Sequence, residues 1–294
     1  MSGTTYKKRL GDRSDGRRVR SLPALNQLES YIMVKRNDAC NQFAGAIEVT
    51  ETDRWLRAKR AEGYKSMGML HLFLAAYVRV VSQLPGLNRF VSGQRVYARH
   101  DIELNFMVKR GYTIDSEETL AKIRCEPTDT IYDIYRKTNA AVDEIRAETE
   151  GNGTEKAAGA LMKVPGVLLK FVMWVLNLLD YFGIMPRALL DVSPFHGSMI
   201  VTDLGSLGIP PIYHHLYNFG NLPVFLAFGA KRHVMELDRH GMPVERKYVD
   251  YKINCDERTV DGSYYASAFK YMKYYMKNPQ ELERPPEKVV EDIF

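Results

Sequence analysis

The sequence predicts one α/β domain. Stretches with the two-residue period of strands alternate along the chain with stretches that repeat every three to four residues, as helices do. No low-complexity linker and no internal repeat divides the 294 residues. A content of 45% hydrophobic and 26% charged residues is typical of a globular protein, and a chain of this length can bury a large core.

Hydrophobic periodicity gives the order of the predicted elements. The run MLHLFLAAYVRVVSQL at 69–84 is apolar on most faces, which predicts a helix buried in the core and ended by Pro85. Before it we expect a strand at 44–50 and a helix at 52–63 capped by Thr52 or Asp53. The elements expected after it are a hairpin at 90–101 turning at Ser92 and Gly93, a strand at 102–108, a helix at 128–148, strands at 199–204, 224–228 and 244–254, and a helix at 262–278.

The two ends of the chain differ from the domain between them, which we place at 30–280. Seven Lys and Arg side chains between residues 7 and 20 face only Asp12 and Asp15. This predicts a basic N-terminal arm, 1–29, that is solvated or clasps a neighbouring subunit. No basic surface with interleaved aromatic residues follows, so we expect no nucleic-acid partner. Residues 281–294 form a Pro-rich, partly charged tail.

The cysteine content favours a cytoplasmic protein. Cys40, Cys125 and Cys255 are odd in number and far apart, which fits neither a disulfide framework nor a metal-binding pattern. The N-terminus has no apolar stretch of the kind a signal peptide needs. The histidines lack metal-ligand spacing, so we expect no metal site.

The segment 164–184, VPGVLLKFVMWVLNLLDYFGI, is unusually apolar. Its uninterrupted apolar part is shorter than the roughly 20 residues that a transmembrane helix needs, because Lys170 and Asp180 interrupt it. The segment therefore predicts a helix that is buried in the core or lies at a subunit interface. The alternative is peripheral membrane contact through an interfacial helix, with anchors and polar face formed by Phe171, Trp174, Lys163, Lys170 and Arg187.

Three segments, at 63–109, 198–229 and 253–262, carry a family resemblance in their order and spacing. The first has the buried helix, a turn similar to P-x-(L/F)-(N/R), and a hairpin. The second, with TDLGSLG, is similar to T-I-S-N-L-G-x-x-G, and the third, INCDERTVDG, to D-H-R-x-x-D-G. Together they resemble the catalytic domain of the dihydrolipoyl acyltransferases of 2-oxo acid dehydrogenase complexes, and the chloramphenicol acetyltransferases, over about 30–280. The resemblance implies an α/β, chloramphenicol acetyltransferase-like (CoA-dependent acyltransferase) fold, with a mixed central sheet flanked by helices, in a homotrimer.

The resemblance also implies site residues. In the resembling enzymes a histidine removes a proton from a thiol or hydroxyl that attacks a thioester, and a hydroxyl from the second motif stabilises the oxyanion. The two groups come from different subunits, in a channel at the trimer interface. Carried across, the hydroxyl falls on Thr202, followed by Asp203. The closing Asp of the family pairs with an Arg, so a supporting ion pair between Arg258 and Asp261 is expected. The motif's Asp, Arg, Asp and Gly fall on Asp256, Arg258, Asp261 and Gly262.

The catalytic histidine position is occupied by Glu257. An ordinary Glu side chain is a weaker base than a thiolate by about four pKa units, which adds about 6 kcal/mol to the proton transfer unless burial raises its pKa. Three interpretations follow: Glu257 is the base for a different acceptor, a histidine of the pair His214 and His215 has replaced it, or the site is inactive and only the scaffold is used. Adjacent histidines on a strand point to opposite faces, so we expect at most one of the pair to serve the site.

The implied substrate is acyl-CoA. No lipoyl domain fits between the start of this sequence and residue 30, so we expect no lipoyl group in this chain and a small-molecule, carrier or lipid acceptor. In the resembling enzymes an apolar C-terminus inserts into a neighbouring trimer and builds cubic or icosahedral particles. Ile293 and Phe294 predict the same assembly here, and the alternative is a tail that folds back on its own subunit.

Overall fold

The structure is a computed structural model that describes residues 8–109, 118–147 and 153–293. The described strands are β1 (Gly16–Arg18), β2 (Cys40–Glu48), β3 (Arg89–Ser92), β4 (Arg95–Arg99), β5 (Ile102–Lys109), β6 (Glu118–Cys125), β7 (Met199–Asp203), β8 (Val224–Leu237) and β9 (Pro243–Asp256). The described helices are α1 (Ala24–Ile32), α2 (Thr50–Ala61), α3 (Met69–Gln83), α4 (Ile131–Ala147), α5 (Gly153–Met162), α6 (Gly166–Tyr181), α7 (Arg187–Val192) and α8 (Gly262–Lys277).

The central sheet has six strands in the order β2-β9-β8-β7-β5-β6. The pairs β5–β7 and β7–β8 are parallel and the other three pairs are antiparallel, so the sheet is mixed, as expected. A second sheet of three strands, β1-β4-β3, is separate from it.

One face of the central sheet is covered by α3 and α8. Every residue of α3 from His71 to Ser82 is buried, which confirms the prediction of a core helix at 69–84. Phe73 of α3 stacks on Phe228 of β8, with ring centroids 4.6 Å apart. Because side chains alternate between the two faces of a strand, the neighbours of Phe228 in sequence point to the opposite face, where the candidate site lies.

Two local predictions are wrong in detail, and some elements were missed. Helix α2 begins at Thr50, and neither Thr52 nor Asp53 caps it. Thr52 instead donates to the main-chain oxygen of Met276 (2.8 Å), and Asp53 accepts from two lysines that the sheet brings near it. The hairpin turns at Gly93 and Gln94, one residue later than predicted, since both adopt the positive φ of a two-residue hairpin turn. The elements β1, α1, β6, α5 and α7 were not predicted from the sequence.

The segment predicted as a basic arm is partly inside the fold. β1 pairs with β4, and the side chains of Arg13 and Asp15 are buried. Arg13 binds Asp15 (2.7 Å) and Asp180 at the end of α6 (2.6 Å). Burying these charges is tolerable because each is paired. The expectation of a solvated arm is therefore wrong for residues 13–18.

The tail packs against its own subunit. The Val290 N–H donates to the main-chain oxygen of Ser82 at the end of α3 (2.8 Å). Asp292 accepts from both Arg89 Nε (2.8 Å) and Arg89 Nη2 (2.5 Å). Residues up to 292 thus follow the fold-back alternative. Ile293 is half exposed and Phe294 lies outside the described residues, so insertion into a neighbouring trimer stays a prediction.

The apolar segment 164–184 forms α6, which is not buried in its own subunit. Along α6 only Asp180 is buried, while Val167 is 86% exposed and Trp174 is 58% exposed. The prediction of a core helix is wrong, because within the described ranges one side of α6 stays exposed; a subunit interface or a membrane surface remains. None of the helices in the described ranges combines the length and apolarity needed to cross a bilayer. We call the exposed side chains at spacings of four and three residues the α6 stripe: Val167, Phe171, Trp174, Leu178 and Tyr181.

Candidate functional site

Thr202 lies on the face of the sheet that α3 does not cover. Its neighbour Val201 is fully buried in the core, so Thr202 points the other way. Thr202 is aligned with Ala227 of β8 and is half-buried. Within the described residues its hydroxyl makes no hydrogen bond. The side chain is thus available to donate to a ligand on this face.

Asp203 has a structural role in the turn that follows β7. Its Oδ1 accepts from the Ser206 N–H (3.0 Å), and the Ser206 hydroxyl donates to the Asp203 main-chain oxygen (2.8 Å). Burial raises the pKa of Asp203, although the N–H groups of the turn oppose the shift. This carboxylate closes the turn and orients the end of β7, which carries Thr202.

Asp256 anchors the turn after β9. Its side chain is fully buried and binds Arg258 (2.7 Å) and Arg36 (3.3 Å). Arg258 also donates to the main-chain oxygens of Met33 (2.9 Å) and Val34. Two guanidinium groups on one buried carboxylate tie the segment before β2 to the turn.

The predicted ion pair between Arg258 and Asp261 is wrong. Arg258 points into the interior toward Asp256, whereas Asp261 is exposed and caps α8 by accepting from the Tyr264 N–H (2.8 Å). The two side chains diverge because α8 begins at Gly262, and the N-cap position holds Asp261 at the helix end.

Glu257 is half-buried beside β2. Its N–H donates to the main-chain oxygen of Ala39 (2.9 Å), and its Oε2 accepts from Asn41 Nδ2 (2.6 Å). Burial and the nearby charges of Glu257 and Asp261 raise the pKa of Glu29 on α1. The carboxylate at the expected histidine position therefore lies in an acidic surrounding and is held by an amide.

The structure distinguishes the two histidines. The His214 ring stacks on Phe225, with centroids 4.2 Å apart and planes at 8°. Its Nε2 is buried and has no hydrogen-bond partner in the described part of the chain. Burial, and to a smaller extent the neighbouring His215, lowers the pKa of His214, so the ring is neutral at pH 7. His215 is exposed, and only His214 lies on the sheet.

Asn254 and Cys40 complete the surroundings of His214 and were missed from sequence. Asn254 is buried; its Oδ1 accepts from the main-chain N–H of His214 (3.1 Å) and its Nδ2 donates to Cys40 Sγ (3.2 Å). Burial raises the pKa of the Cys40 thiol, although the bond from Asn254 opposes the shift. The available signal was a lone amide in the apolar strand YKINC, just before the motif.

One chain brings Thr202 near His214 but not near Glu257. Thr202 is aligned with Ala227 on the neighbouring strand β8, and Phe225 precedes Ala227 by two residues, which places the Cα atoms of Thr202 and Phe225 about 8 Å apart. Ala227 of β8 is aligned with Thr202 of β7 on one side and with Lys252 of β9 on the other. Glu257 follows Lys252 by five residues along the chain, so Thr202 and Glu257 are roughly 15 Å or more apart. Any site that uses both needs a second copy of the chain.

No metal centre accompanies this arrangement in the described ranges. No group of three or more His, Cys, Asp and Glu side chains lies there in a geometry that could hold a metal ion.

The fold is shared with solved acyltransferase structures. A probable dihydrolipoamide acetyltransferase from Listeria monocytogenes aligns with a TM-score of 0.57 and 14% identity, covering 88% of this chain and 94% of that one. A dihydrolipoamide acetyltransferase from Azotobacter vinelandii, studied for the roles of a serine, a histidine and an asparagine in catalysis, aligns with a TM-score of 0.57 and 14% identity, covering 88% of each chain. A chloramphenicol acetyltransferase aligns with a TM-score of 0.54 and 13% identity, covering 86% of this chain and 94% of that one.

The likeness is one of structure. No family model and no curated protein matches the sequence. The resemblance of the three sequence segments and the mixed sheet agree with the structural matches. The protein therefore has the chloramphenicol acetyltransferase-like fold of the dihydrolipoamide acetyltransferase catalytic cores.

Proposed function

We propose that the protein is a CoA-dependent acyltransferase that acts as a homotrimer and transfers an acyl group from acyl-CoA to a small-molecule, carrier or lipid acceptor. The observation that carries the proposal is the match of fold to acyltransferases over 88% of the chain. The proposed assembly is supported by a match to the cubic core of the pyruvate dehydrogenase multienzyme complex, with a TM-score of 0.56 and 15% identity over 88% of each chain.

In the proposed reaction His214 is the general base. Its Nε2 takes the proton of the acceptor hydroxyl, amine or thiol as that group attacks the thioester carbonyl, and the Thr202 hydroxyl donates to the oxyanion that forms. When the carbonyl re-forms, the C–S bond breaks and the CoA thiolate takes the proton back from His214. A neutral imidazole whose nitrogen has no hydrogen-bond partner suits this role, and the buried Nε2 of His214 has none within the described residues.

Replacing Thr202 tests the oxyanion role. We expect Thr202→Val to lower kcat by about 10²–10³-fold, because a lost oxyanion donor has an effect of this size, while Thr202→Ser keeps most activity. The measurement is thiol release from acetyl-CoA over a panel of alcohols, amines and thiols, with the mass of the protein assembly determined by ultracentrifugation. A monomer, or equal activity in Thr202→Val and the unmodified protein, would contradict the proposal.

An inactive scaffold is the second candidate function. Glu257 favours it, since this residue stands where the resembling enzymes carry their base and is held by Asn41. If no acceptor in the panel is acylated by the unmodified protein and Glu257→His alone creates thiol release, the site is a degenerate one. The trimer, and any larger particle built through Ile293 and Phe294, would then be the function.

We also propose that the α6 stripe contacts an anionic lipid surface. Phe171 and Trp174 are each more than half exposed and stack on each other, with centroids 5.8 Å apart. The one acidic residue of α6, Asp180, is buried against Arg13, whereas Lys170 is exposed. The exposed part of the helix is therefore apolar and cationic, which suits the interface of an anionic membrane and a lipid acceptor.

Removing the two rings should release the protein from membranes. We expect Phe171→Ser/Trp174→Ser to lower binding to phosphatidylserine-containing vesicles by about 30-fold, because each half-exposed aromatic contributes about 1 kcal/mol when buried. Vesicle co-sedimentation measures the change, and Tyr271→Ser/Tyr274→Ser, which removes two exposed rings from α8, is the control. Vesicle binding that the α6 substitutions leave unchanged would contradict the lipid contact. If these substitutions changed the oligomeric state as well, the α6 stripe would be assigned to contact with a second copy of the chain.

A further inference from the structure

A basic cavity lies on the α3 side of the molecule, away from His214 and Thr202. It has a volume of about 620 Å³, within the usual range of ligand sites. Its walls come from the N-terminal segment, the end of α3, the turn between β4 and β5, and the tail. The charged and titratable residues that line it are Lys8, Arg9, Arg17, Arg18, Arg20, Arg99, His100, Glu291 and Asp292.

Positive charge exceeds negative charge in this cavity. Six Lys and Arg side chains line the cavity together with two carboxylates, and Nε and Nη2 of Arg89 already bind the Asp292 carboxylate. Two cavity cations pair with acids outside the lining: Arg20 with Asp12 (3.1 Å) and Arg99 with Asp15 (3.8 Å). Like charges held this close repel one another, and a bound anion relieves the repulsion.

Arg99 lies in the wall of the same cavity, with its guanidinium group buried. Its side chain is 1% exposed, and Nη2 donates to Asn221 Oδ1 (2.7 Å). Its Nε and Nη1 make no hydrogen bond within the described residues, although Nη1 lies 3.8 Å from Asp15 Oδ2. A buried guanidinium that leaves donors unused is costly, and it adds positive charge to the cavity wall.

From this geometry we propose that the cavity binds a small molecule that carries a diphosphate group. Guanidinium groups match phosphate oxygens through paired hydrogen bonds, and one phosphate cannot reach all the cations spread along residues 8–20 and Arg99. Arg9 and Arg18, which have no described side-chain partner, provide charge for this purpose. The diphosphate belongs to a nucleotide or a nucleotide-containing coenzyme, or is inorganic pyrophosphate.

The site is independent of the proposed acyl transfer. Val81 and Ile102, which line the cavity, belong to the core on the α3 face of the sheet, whereas His214 stacks on the other face. The ligand can therefore bind whether or not the protein transfers acyl groups.

Calorimetric titration of the full chain tests the inference. We expect inorganic pyrophosphate, ADP and CoA to bind with micromolar Kd, and Arg9→Ala/Arg18→Ala to weaken binding about 100-fold, as the loss of two charge-assisted contacts predicts. The control is Arg54→Ala/Arg136→Ala, which removes the same charge from exposed sites elsewhere. Arg9→Ala alone, at an exposed position, and the melting temperature without ligand separate lost binding from lost folding.

The arms of the titration distinguish the sources. Equal affinity for pyrophosphate and ADP shows that the diphosphate alone is recognised, and tighter binding of ADP or CoA shows that the nucleoside contributes. Absence of heat with all three ligands overturns the proposal. It is equally overturned if both double variants bind like the unmodified protein, or if only an RNA oligonucleotide binds.

Discussion

Asp256→Ala is expected to lower the free energy of unfolding by about 3–5 kcal/mol, the usual effect of removing one partner of a buried ion pair. The substitution would leave the guanidinium groups of Arg36 and Arg258, both at most 5% exposed, without their carboxylate. Arg258 would keep only its bonds to main-chain oxygens. The turn that carries Glu257 would lose its anchor, so any activity should fall together with stability. Denaturant unfolding followed by circular dichroism measures the change.

Asp261→Ala is the matched control for Asp256→Ala. It removes an exposed carboxylate of the same motif that caps α8, and a lost cap costs about 1 kcal/mol. If Asp261→Ala lowered the free energy of unfolding more than Asp256→Ala did, the result would support the ion pair between Arg258 and Asp261 that the motif predicted. Asp256→Asn, which keeps the shape and loses the charge, is expected to fall between them.

His214→Gln is expected to lower kcat/KM for acyl transfer by about 10²–10⁴-fold, the contribution of a positioned general base. His215→Gln should leave the rate above pH 7 almost unchanged, since that ring is exposed and lies off the sheet. Steady-state thiol release with the best acceptor measures both. The reverse pattern, with His215 essential and His214 dispensable, would exclude His214 as the base.

The pH profile gives a second measurement of the same assignment. Burial lowers the pKa of His214, and the base works when it is neutral. The rate should therefore rise with pH through a pKa below about 6.5 and stay level above it. Because the charge of His215 contributes to the lowered pKa, His215→Gln should move this rise to higher pH. A profile that does not respond to His215→Gln would count against His214.

Secondary structure could be predicted where burial of apolar side chains alone decides the conformation of a segment. The helix at 69–84 is apolar on most faces, and a helix of that composition is stable only inside a core. The short strands at 199–204 and 224–228 are apolar for the same reason, although β8 continues to Leu237 once β9 pairs with it. β6 was missed although Ala121, Ile123 and Cys125 alternate with Lys122 and Arg124, because the charges of those two side chains are satisfied only by partners distant in sequence.

The sequence motifs predicted which residues the candidate site contains, but they did not predict which partners those residues bind. The motifs placed Thr202 and the turn after β9, but the partner of Arg258 depends on where α8 begins. The roles of Asn254 and Cys40 depend on the loop that contains His214. This loop packs against the sheet beside Asn254, although His214 and Asn254 are 40 residues apart in the chain. Such contacts follow from strand order, which local sequence does not encode.

The α/β class, the buried helix and the order of the motifs could all be predicted before folding, because they depend on local periodicity and composition. Tertiary structure alone decided that Arg13 and Asp15 are buried, that α6 is exposed, that Asp256 holds two arginines, and that His214 faces the sheet while His215 faces solvent. The physical reason is that burial and charge pairing are set by neighbours that are distant in sequence, and only the folded chain brings those neighbours together.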